Sequence, residues 1–286
     1  MRRRFAYGYS FYVILAIAGV MALTGAVSSV KTDRERDGLF GPVRQVVTVS
    51  GETHVTRMYS RAGALLEAAT RQAAPVDQPD LGERVQKTMF VYDAQGRRTR
   101  EMVDEGDGPY LSRLYAYSAT GTPIAEAAYH MCGTFSSLVV HDYDAAGTLR
   151  RDLSYRFRSM GEHRYTWDAQ GRITARKDYQ NGVLISTLRY SYDAQGRLTE
   201  QEATQADGTS LSRTAYQYDQ RGNLIGEELT NFHDPSLNAK SVSSYEYDAA
   251  GNWTGQIVRR LMIPAGEDGK PMSEGTEVIR RIISYY

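Results

Sequence analysis

One phrase, YSYDAQGRLT at Tyr190–Thr199, returns along the chain at an almost fixed interval, and that regularity limits what the chain can fold into. Close copies begin at Tyr92 (YDAQGRRT), Tyr143 (YDAAGTLR), Trp167 (WDAQGRIT), Tyr218 (YDQRGNLI) and Tyr247 (YDAAGNWT). Two more, YSRAGALL at Tyr59 and YSATGTPI at Tyr117, carry serine in place of the aspartate. With Tyr192 as the anchor of the central copy, the aromatic anchors are separated by intervals of 33, 25, 26, 24, 25, 26 and 29. A period of roughly 25 residues defines a repeat array, in which each unit buries its apolar face against its neighbours.

The phrase has the chemistry of a β-hairpin turn. Asp or Ser is favoured at the first position of a type I turn and Gly at the fourth. The pairs Asp93/Gly96, Asp144/Gly147, Asp168/Gly171, Asp193/Gly196, Asp219/Gly222 and Asp248/Gly251 fit this, as do Ser60/Gly63 and Ser118/Gly121. The acid varies and the glycine does not, so backbone conformation is the stricter demand. Before each turn, aromatic residues alternate: Phe90/Tyr92, Tyr115/Tyr117, His141/Tyr143, Tyr165/Trp167, Tyr190/Tyr192, Tyr216/Tyr218 and Tyr245/Tyr247. Spacing of two puts both members on one strand face. Second turn signals fall midway between phrases, at Asp107-Gly108, Cys132-Gly133, Met160-Gly161, Asn181-Gly182 and Asp207-Gly208. Each repeat therefore reads as two strands and two turns of an antiparallel meander.

In these residues the chain resembles the YD-repeat (RHS-repeat) family, over Tyr59 to Thr254. The resemblance implies an all-β fold of tandem hairpin repeats forming a coiled, strongly curved antiparallel sheet. It also implies the setting of bacterial surface and secreted proteins, or of shells around polymorphic toxins. The chain shows no long array, no shell-closing DPxGL-like motif and no separate C-terminal toxin segment, so toxin delivery does not carry over.

Met1 to Ser28 reads as a signal peptide or an N-terminal membrane anchor: three arginines, then an apolar run from Phe11 to Val27 and small residues. Residues 29–40 read as a polar spacer, and 41–286 as the repeat domain. Within that domain Gly41–Tyr59 forms a hairpin turning near Ser50-Gly51 that pairs with the first repeat and caps one end of the sheet. Loops are expected at 73–82, 232–238 and 264–275, and Glu277–Tyr286 is a closing strand. The count is about 16 to 19 strands, more than an open sheet carries without curling or closing. No helix is available to cover the aromatic face, so the sheet should coil with that face inward.

Function is less constrained. Lys and Arg number 34 against 34 Asp and Glu; without Met1–Ser28, which holds three arginines and no acid, the balance becomes −3. No basic stripe for nucleic acid exists. The single cysteine, Cys132, reads as a small buried residue rather than a redox centre. One acid per repeat is turn capping, not a calcium loop, and the five histidines are scattered, so no metal or cofactor is expected. Paired carboxylates such as Glu200 and Glu202 are the only hint of glycan chemistry, and a charged strand face explains them as well.

The tyrosines admit two readings. Tyr115, Tyr117, Tyr143, Tyr165, Trp167, Tyr190, Tyr192, Tyr216, Tyr218, Tyr245 and Tyr247 either fill a ladder-like core or form an aromatic binding face. The leading expectation is a non-enzymatic exported protein, in the periplasm or at the cell surface (or anchored in the inner membrane, facing the periplasm). It would bind or scaffold a glycan or protein, touching membrane only through residues 1–28 if these stay uncleaved. The alternatives are an accessory protein of a secretion or toxin system that pairs its edge strands with a partner, and a glycan-active enzyme.

Overall fold

Every phrase closes a hairpin, and the hairpins close a barrel. The computed structural model describes residues 31–74, 82–262 and 273–286. After a short helix, α1 (Asp33–Arg36), come β1 (Val43–Ser50), β2 (Thr53–Tyr59), β3 (Leu65–Gln72), β4 (Arg84–Tyr92), β5 (Arg98–Asp104) and β6 (Tyr110–Tyr117). The middle of the chain forms β7 (Pro123–Tyr129), β8 (Phe135–Tyr143), β9 (Leu149–Arg156), β10 (Ser159–Trp167), β11 (Ile173–Gln180) and β12 (Val183–Tyr192). The remainder forms β13 (Leu198–Gln205), β14 (Ser210–Tyr218), β15 (Leu224–Asn231), β16 (Ala239–Tyr247), β17 (Trp253–Met262) and β18 (Ser273–Tyr285). Consecutive strands pair antiparallel throughout, and β18 pairs back onto β1.

The turns form as their residues dictate. At Asp193, the Gly196 N–H donates to the Asp193 carbonyl (3.0 Å) and the Asp193 N–H to the Arg197 carbonyl (2.9 Å). The Asp193 carboxylate accepts from the Gln195 and Arg197 N–H groups at 2.9 and 2.8 Å. Gly196 holds φ +79, which a side chain would resist. Tyr192 then pairs with Leu198 across a register shift, and the same break recurs after every phrase.

The same backbone bonds close the turns from Asp144 to Gly147, Asp168 to Gly171, Asp219 to Gly222 and Asp248 to Gly251, at 3.0, 3.1, 3.1 and 3.1 Å for the glycine N–H. These glycines hold φ values of +81, +74, +87 and +89. Their surroundings differ. Gly147 and Gly222 are exposed, whereas Gly171 and Gly251 are half-buried. Gly251 lies beneath Phe40, whose ring would stand 3.9 Å from an added Cβ. One mid-repeat signal is also corrected. Met160-Gly161 lies inside β10, and the turn is made by Phe157 and Arg158, the latter at φ 61. Gly161 serves packing instead, because a Cβ there would strike the Ser154 hydroxyl.

Closure corrects two further expectations. The Gly41–Tyr59 hairpin caps nothing: β1 is the seam, hydrogen-bonded to β2 on one side and to β18 on the other. Residues 31–40 are not a spacer either. They pack against the wall at the phrase-turn end, where Asp33 accepts from the Leu65 N–H (2.9 Å) and lies 2.7 Å from the Tyr92 hydroxyl, and Asp37 accepts from the Tyr59 hydroxyl. Asn252 clasps the Phe40 backbone in both directions, at 2.6 and 2.9 Å. The compact apolar core sits at this end: Leu39, Val43, Val46, Tyr59 and Leu65, with Phe90 and Ile283 against it. The 1–28 segment and most of the 73–82 and 264–275 loops lie outside the described residues, while Phe232–Asn238 is a loop with a 3-10 turn.

Elsewhere no described residue fills the interior. A barrel of 18 strands is too wide for side chains to meet across it. Around Tyr190 on β12 the residues of the tyrosine face, Leu188, Tyr190 and Tyr192, are half-buried, while the alternate residues Arg189 and Ser191 are exposed. Outward on β9–β16 runs a ladder of charges, including Arg151–Glu162 (3.5 Å), Arg164–Glu162 (2.8 Å), Arg213–Glu200 and Lys240–Glu228 (3.3 Å). A lipid-facing charge at mid-bilayer costs about 2–4 kcal/mol for Arg or Lys. This side of the barrel therefore faces water.

Candidate functional site

The inner wall collects all eleven aromatic residues of the expected binding face. Tyr117, Tyr143, Trp167, Tyr192, Tyr218 and Tyr247 form a row beside the phrase turns. Tyr115, Tyr165, Tyr190, Tyr216 and Tyr245 form a second row one step deeper, continued by His141 and Phe90.

Much of the first row is structural. The Tyr117 and Tyr192 hydroxyls donate to the carbonyls of Arg98 and Ile173, at 2.7 and 2.8 Å, and the Tyr92 hydroxyl in the same row, shared between Asp33 and the Leu65 carbonyl, lies 2.7 Å from each. Trp167 donates to the Leu149 carbonyl (2.7 Å). Each of these carbonyls lies two positions past the glycine of the preceding phrase, so every such bond ties one repeat to the next. The arginine directly after the glycine adds a second tie that the turn pattern alone does not reveal. Arg97, Arg172 and Arg197 pair with their own Asp93, Asp168 and Asp193 at 2.7, 2.7 and 2.6 Å. The same guanidinium groups lie over the rings of Tyr117, Tyr192 and Tyr218, 4.9 to 5.1 Å from the centroids. The signal was present as Gly-Arg in three copies. After Gly147, Gly222 and Gly251 stand Thr148, Asn223 and Asn252, so the arginine tie is missing at those turns. Asn223 substitutes for it, donating to Asp219 (3.2 Å) and to the Tyr247 hydroxyl (2.7 Å). Burial would push the Asp193 carboxyl up, but the Arg197 bonds outweigh it and hold it below the usual range.

The wall divides into two arcs. From β4 to β11 it is densely charged and saturated. Glu101 accepts from the Tyr115 hydroxyl (2.6 Å) and pairs with Arg98 (3.1 Å) and Arg113 (3.6 Å); Arg113 also pairs with Glu126. A row across four strands reads His141, Asp152, His163, Asp178. His141 Nδ1 lies 2.6 Å from Asp152, which also accepts from the Tyr165 hydroxyl (2.7 Å). His163 Nδ1 lies 2.6 Å from Asp178, which also accepts from Arg176 (2.8 Å) and Ser186 (3.2 Å). Burial alone would raise both carboxyls. The bonds from His141 and Tyr165, and from Arg176 and His163, outweigh it and hold Asp152 and Asp178 below the normal range. Burial, then the neighbouring carboxylates, raises the Tyr115 and Tyr165 hydroxyls.

From β12 to β16 the inner face carries Tyr190, Gln201, Ser212, Tyr216 and Ser241, and one charge, Glu227. Glu227 is exposed although it points inward, which marks this arc as open to water. Among the described residues, the only buried side-chain nitrogen or oxygen atoms without a partner are Nε and Nη1 of Arg281. That guanidinium lies 3.4 Å above the Trp253 ring, and burial together with nearby Arg57 pushes it down to about 10.

Three candidates fall elsewhere. Glu200 and Glu202 point outward, with Glu200 held by Arg213 (2.8 Å), so they do not face the tyrosine wall. Cys132 is exposed, not buried: the β7–β8 turn carries it at a hairpin tip beside the Thr134 hydroxyl (3.1 Å). The terminal strands β1 and β18 bond to each other, leaving no free edge strand among the described residues, and this overturns edge pairing by the terminal strands. Among the described residues no cluster of three or more His, Cys, Asp or Glu could hold a metal ion.

The molecule is thus a closed barrel of β-hairpin repeats. Residues 167–210 and 192–231 match the family model described as RHS Repeat, so that stretch of the chain carries RHS repeats. No curated protein matches it. Among solved structures it is similar to a porin-like protein from Bacteroides uniformis, at 9% identity and TM-score 0.46, covering 86% of this chain and 98% of that one. A porin-like protein from Bacteroides vulgatus gives 13% identity and TM-score 0.31, covering 85% and 98%. The TcdB2-TccC3-Cdc42 structure gives 14% and 0.21, covering 78% of this chain and 16% of that one.

Proposed function

We propose that this protein is an exported, non-enzymatic barrel of the bacterial envelope that binds or scaffolds a glycan or a protein segment at its inner wall. The observation carrying this reading is that half-buried aromatic residues line a wide interior on which Glu227 is still exposed to water. Tyrosine presents an apolar face with a polar tip, a combination suited to sugars and peptides. The carboxylates on the charged arc support a non-catalytic role. Asp152 and Asp178 are held ionised by built-in partners, whereas a general acid needs a raised carboxyl.

Export rests on Met1–Ser28, which would leave the barrel in the periplasm or at the surface if cleaved, and tethered to the inner membrane if kept. The test is fractionation of cells expressing the full chain, with the purified protein then titrated against a polysaccharide panel and a peptide library. An envelope location with saturable binding to either is expected. Recovery in the cytoplasm, or binding to neither, would overturn the reading.

A further inference from the structure

The two arcs differ in what their polar groups are already doing, and this deepens the binding reading on which it rests. On the charged arc, Glu101, Asp152 and Asp178 each accept two or more internal bonds, and Arg98, Arg113 and Arg176 all have carboxylate partners. A ligand docking there would have to displace charge-assisted bonds, and leaving such a group unpaired costs more than an ordinary hydrogen bond returns. On the β12–β16 arc Ser186 and Tyr245, near its two ends, are committed, to Asp178 and to the Leu224 carbonyl, but the positions between them are not. Tyr190, Gln201, Ser212, Glu227 and Ser241 share the inner face and spend no side-chain polar atom on an internal hydrogen bond or ion pair among the described residues.

We infer that this arc is a binding subsite for an uncharged polysaccharide chain. Register sets its geometry: Tyr190 lies opposite Gln201 on β13, and Tyr216 opposite Glu227 on β15, itself opposite Ser241 on β16. Two aromatic residues on alternate strands, β12 and β14, sit roughly 10 Å apart by the usual strand spacing. Each has an amide or carboxylate on the next strand. A pyranose ring stacks on an aromatic face while its hydroxyls bond such neighbours, and the separation of the two rings suits two sugar units along one chain. The electrostatics exclude a polyanion. The only charge at an inward strand position of the arc is the Glu227 carboxylate, and the arginine over Tyr218 at the turn, Arg197, is already paired with Asp193. A carboxylate also accepts well from paired sugar hydroxyls.

The test uses the full chain, with dextran and laminarin as uncharged probes and polygalacturonate and heparin as anionic ones, by calorimetric titration. Saturable binding of an uncharged probe is expected, with neither anionic probe bound. Tyr190→Leu and Gln201→Ala should each weaken it about three- to tenfold at unchanged melting temperature, since neither residue makes an internal side-chain bond. The His141→Ala variant should bind as the parent does. Uncharged-glycan binding that ignores Tyr190→Leu and Gln201→Ala, or that fails in His141→Ala, would move the subsite off this arc and leave the binding reading standing. Preference for polygalacturonate or heparin would overturn the electrostatic argument. Peptide binding with no glycan bound would overturn the inference alone, and binding of neither would overturn both.

Discussion

Two stretches of one repeating wall, β4–β11 and β12–β16, share their turns and their strand register yet do opposite things with their inner faces. At Asp93 and at Asp193 the turn is the same: aspartate caps two N–H groups, glycine takes a left-handed φ (+74 and +79), and arginine folds back onto the acid. One step inward the likeness ends. Tyr165 lies on a carboxylate clamped by histidine, whereas Tyr190 faces glutamine. The period therefore conserves what the backbone needs and leaves the inner positions at liberty, since in so wide a barrel no side chain must meet a partner across the lumen. Stability and specificity are written in different positions of the same repeat.

The severest test of the shared part is a paired substitution. Gly96→Val and Gly196→Val each force a β-branched residue into a left-handed φ, at a cost of about 1–3 kcal/mol. Neither site has an atom within 4 Å of the added Cβ, so the backbone effect stands alone. Equal losses in denaturant melts are expected. Unequal ones would show that the arcs differ in their turns as well as in their inner faces.

Next in size is the contrast between acids. Asp152→Asn weakens bonds from His141 and Tyr165 and should cost about 1–2 kcal/mol, while Glu227→Gln should stay within about 0.5 kcal/mol. The pH dependence follows in the same direction. Asp152 and Asp178 have folded values below the ordinary carboxylate range, so the unfolded chain takes up protons first as pH falls. Their stabilisation is complete above about pH 4–5 and is lost as pH drops through the lower folded values. Melts from pH 6 to 3 should show a shallower decline for Asp152→Asn than for the parent, and Glu227→Gln should track the parent. Parallel curves for all three would remove the charged arc from the acid response.

What the sequence makes legible is what a local hydrogen-bond pattern dictates. Asp193 and Gly196 declare their turn because both partners are near neighbours in the chain, and the alternation of Tyr190 and Tyr192 declares their shared face. The surroundings of a turn are not local, so nothing in the phrase separates Gly251, lying under Phe40, from the open Gly147. Closure is harder still to see. Val46 pairs with Ile283 from the far end of the chain, and a row of Val and Ile reads equally well as a covered edge. Asp33 and Asp37 look like solvated charges until the fold brings Tyr92 and Tyr59 to them. The division of the wall lay between these cases. His141 visibly replaces a tyrosine, but its carboxylate comes from the next strand, at a position the repeat leaves variable.

The smallest effect concerns a residue outside both arcs, and it separates wall from rim. Cys132 sits exposed at the β7–β8 tip, its thiol 3.1 Å from the Thr134 hydroxyl, which also draws it below the ordinary value. Cys132→Ser keeps a hydroxyl where the thiol was, so stability should move by less than about 0.5 kcal/mol. The native protein should also react with a maleimide at neutral pH without denaturant, because exposure and the lowered value both favour thiolate. Slow labelling that accelerates only on unfolding would mean the tip folds inward over the mouth. The lumen at that end would then be screened, and access to the uncommitted tyrosines would have to come through the phrase-turn end, away from the rim that residues 31–40 pack against.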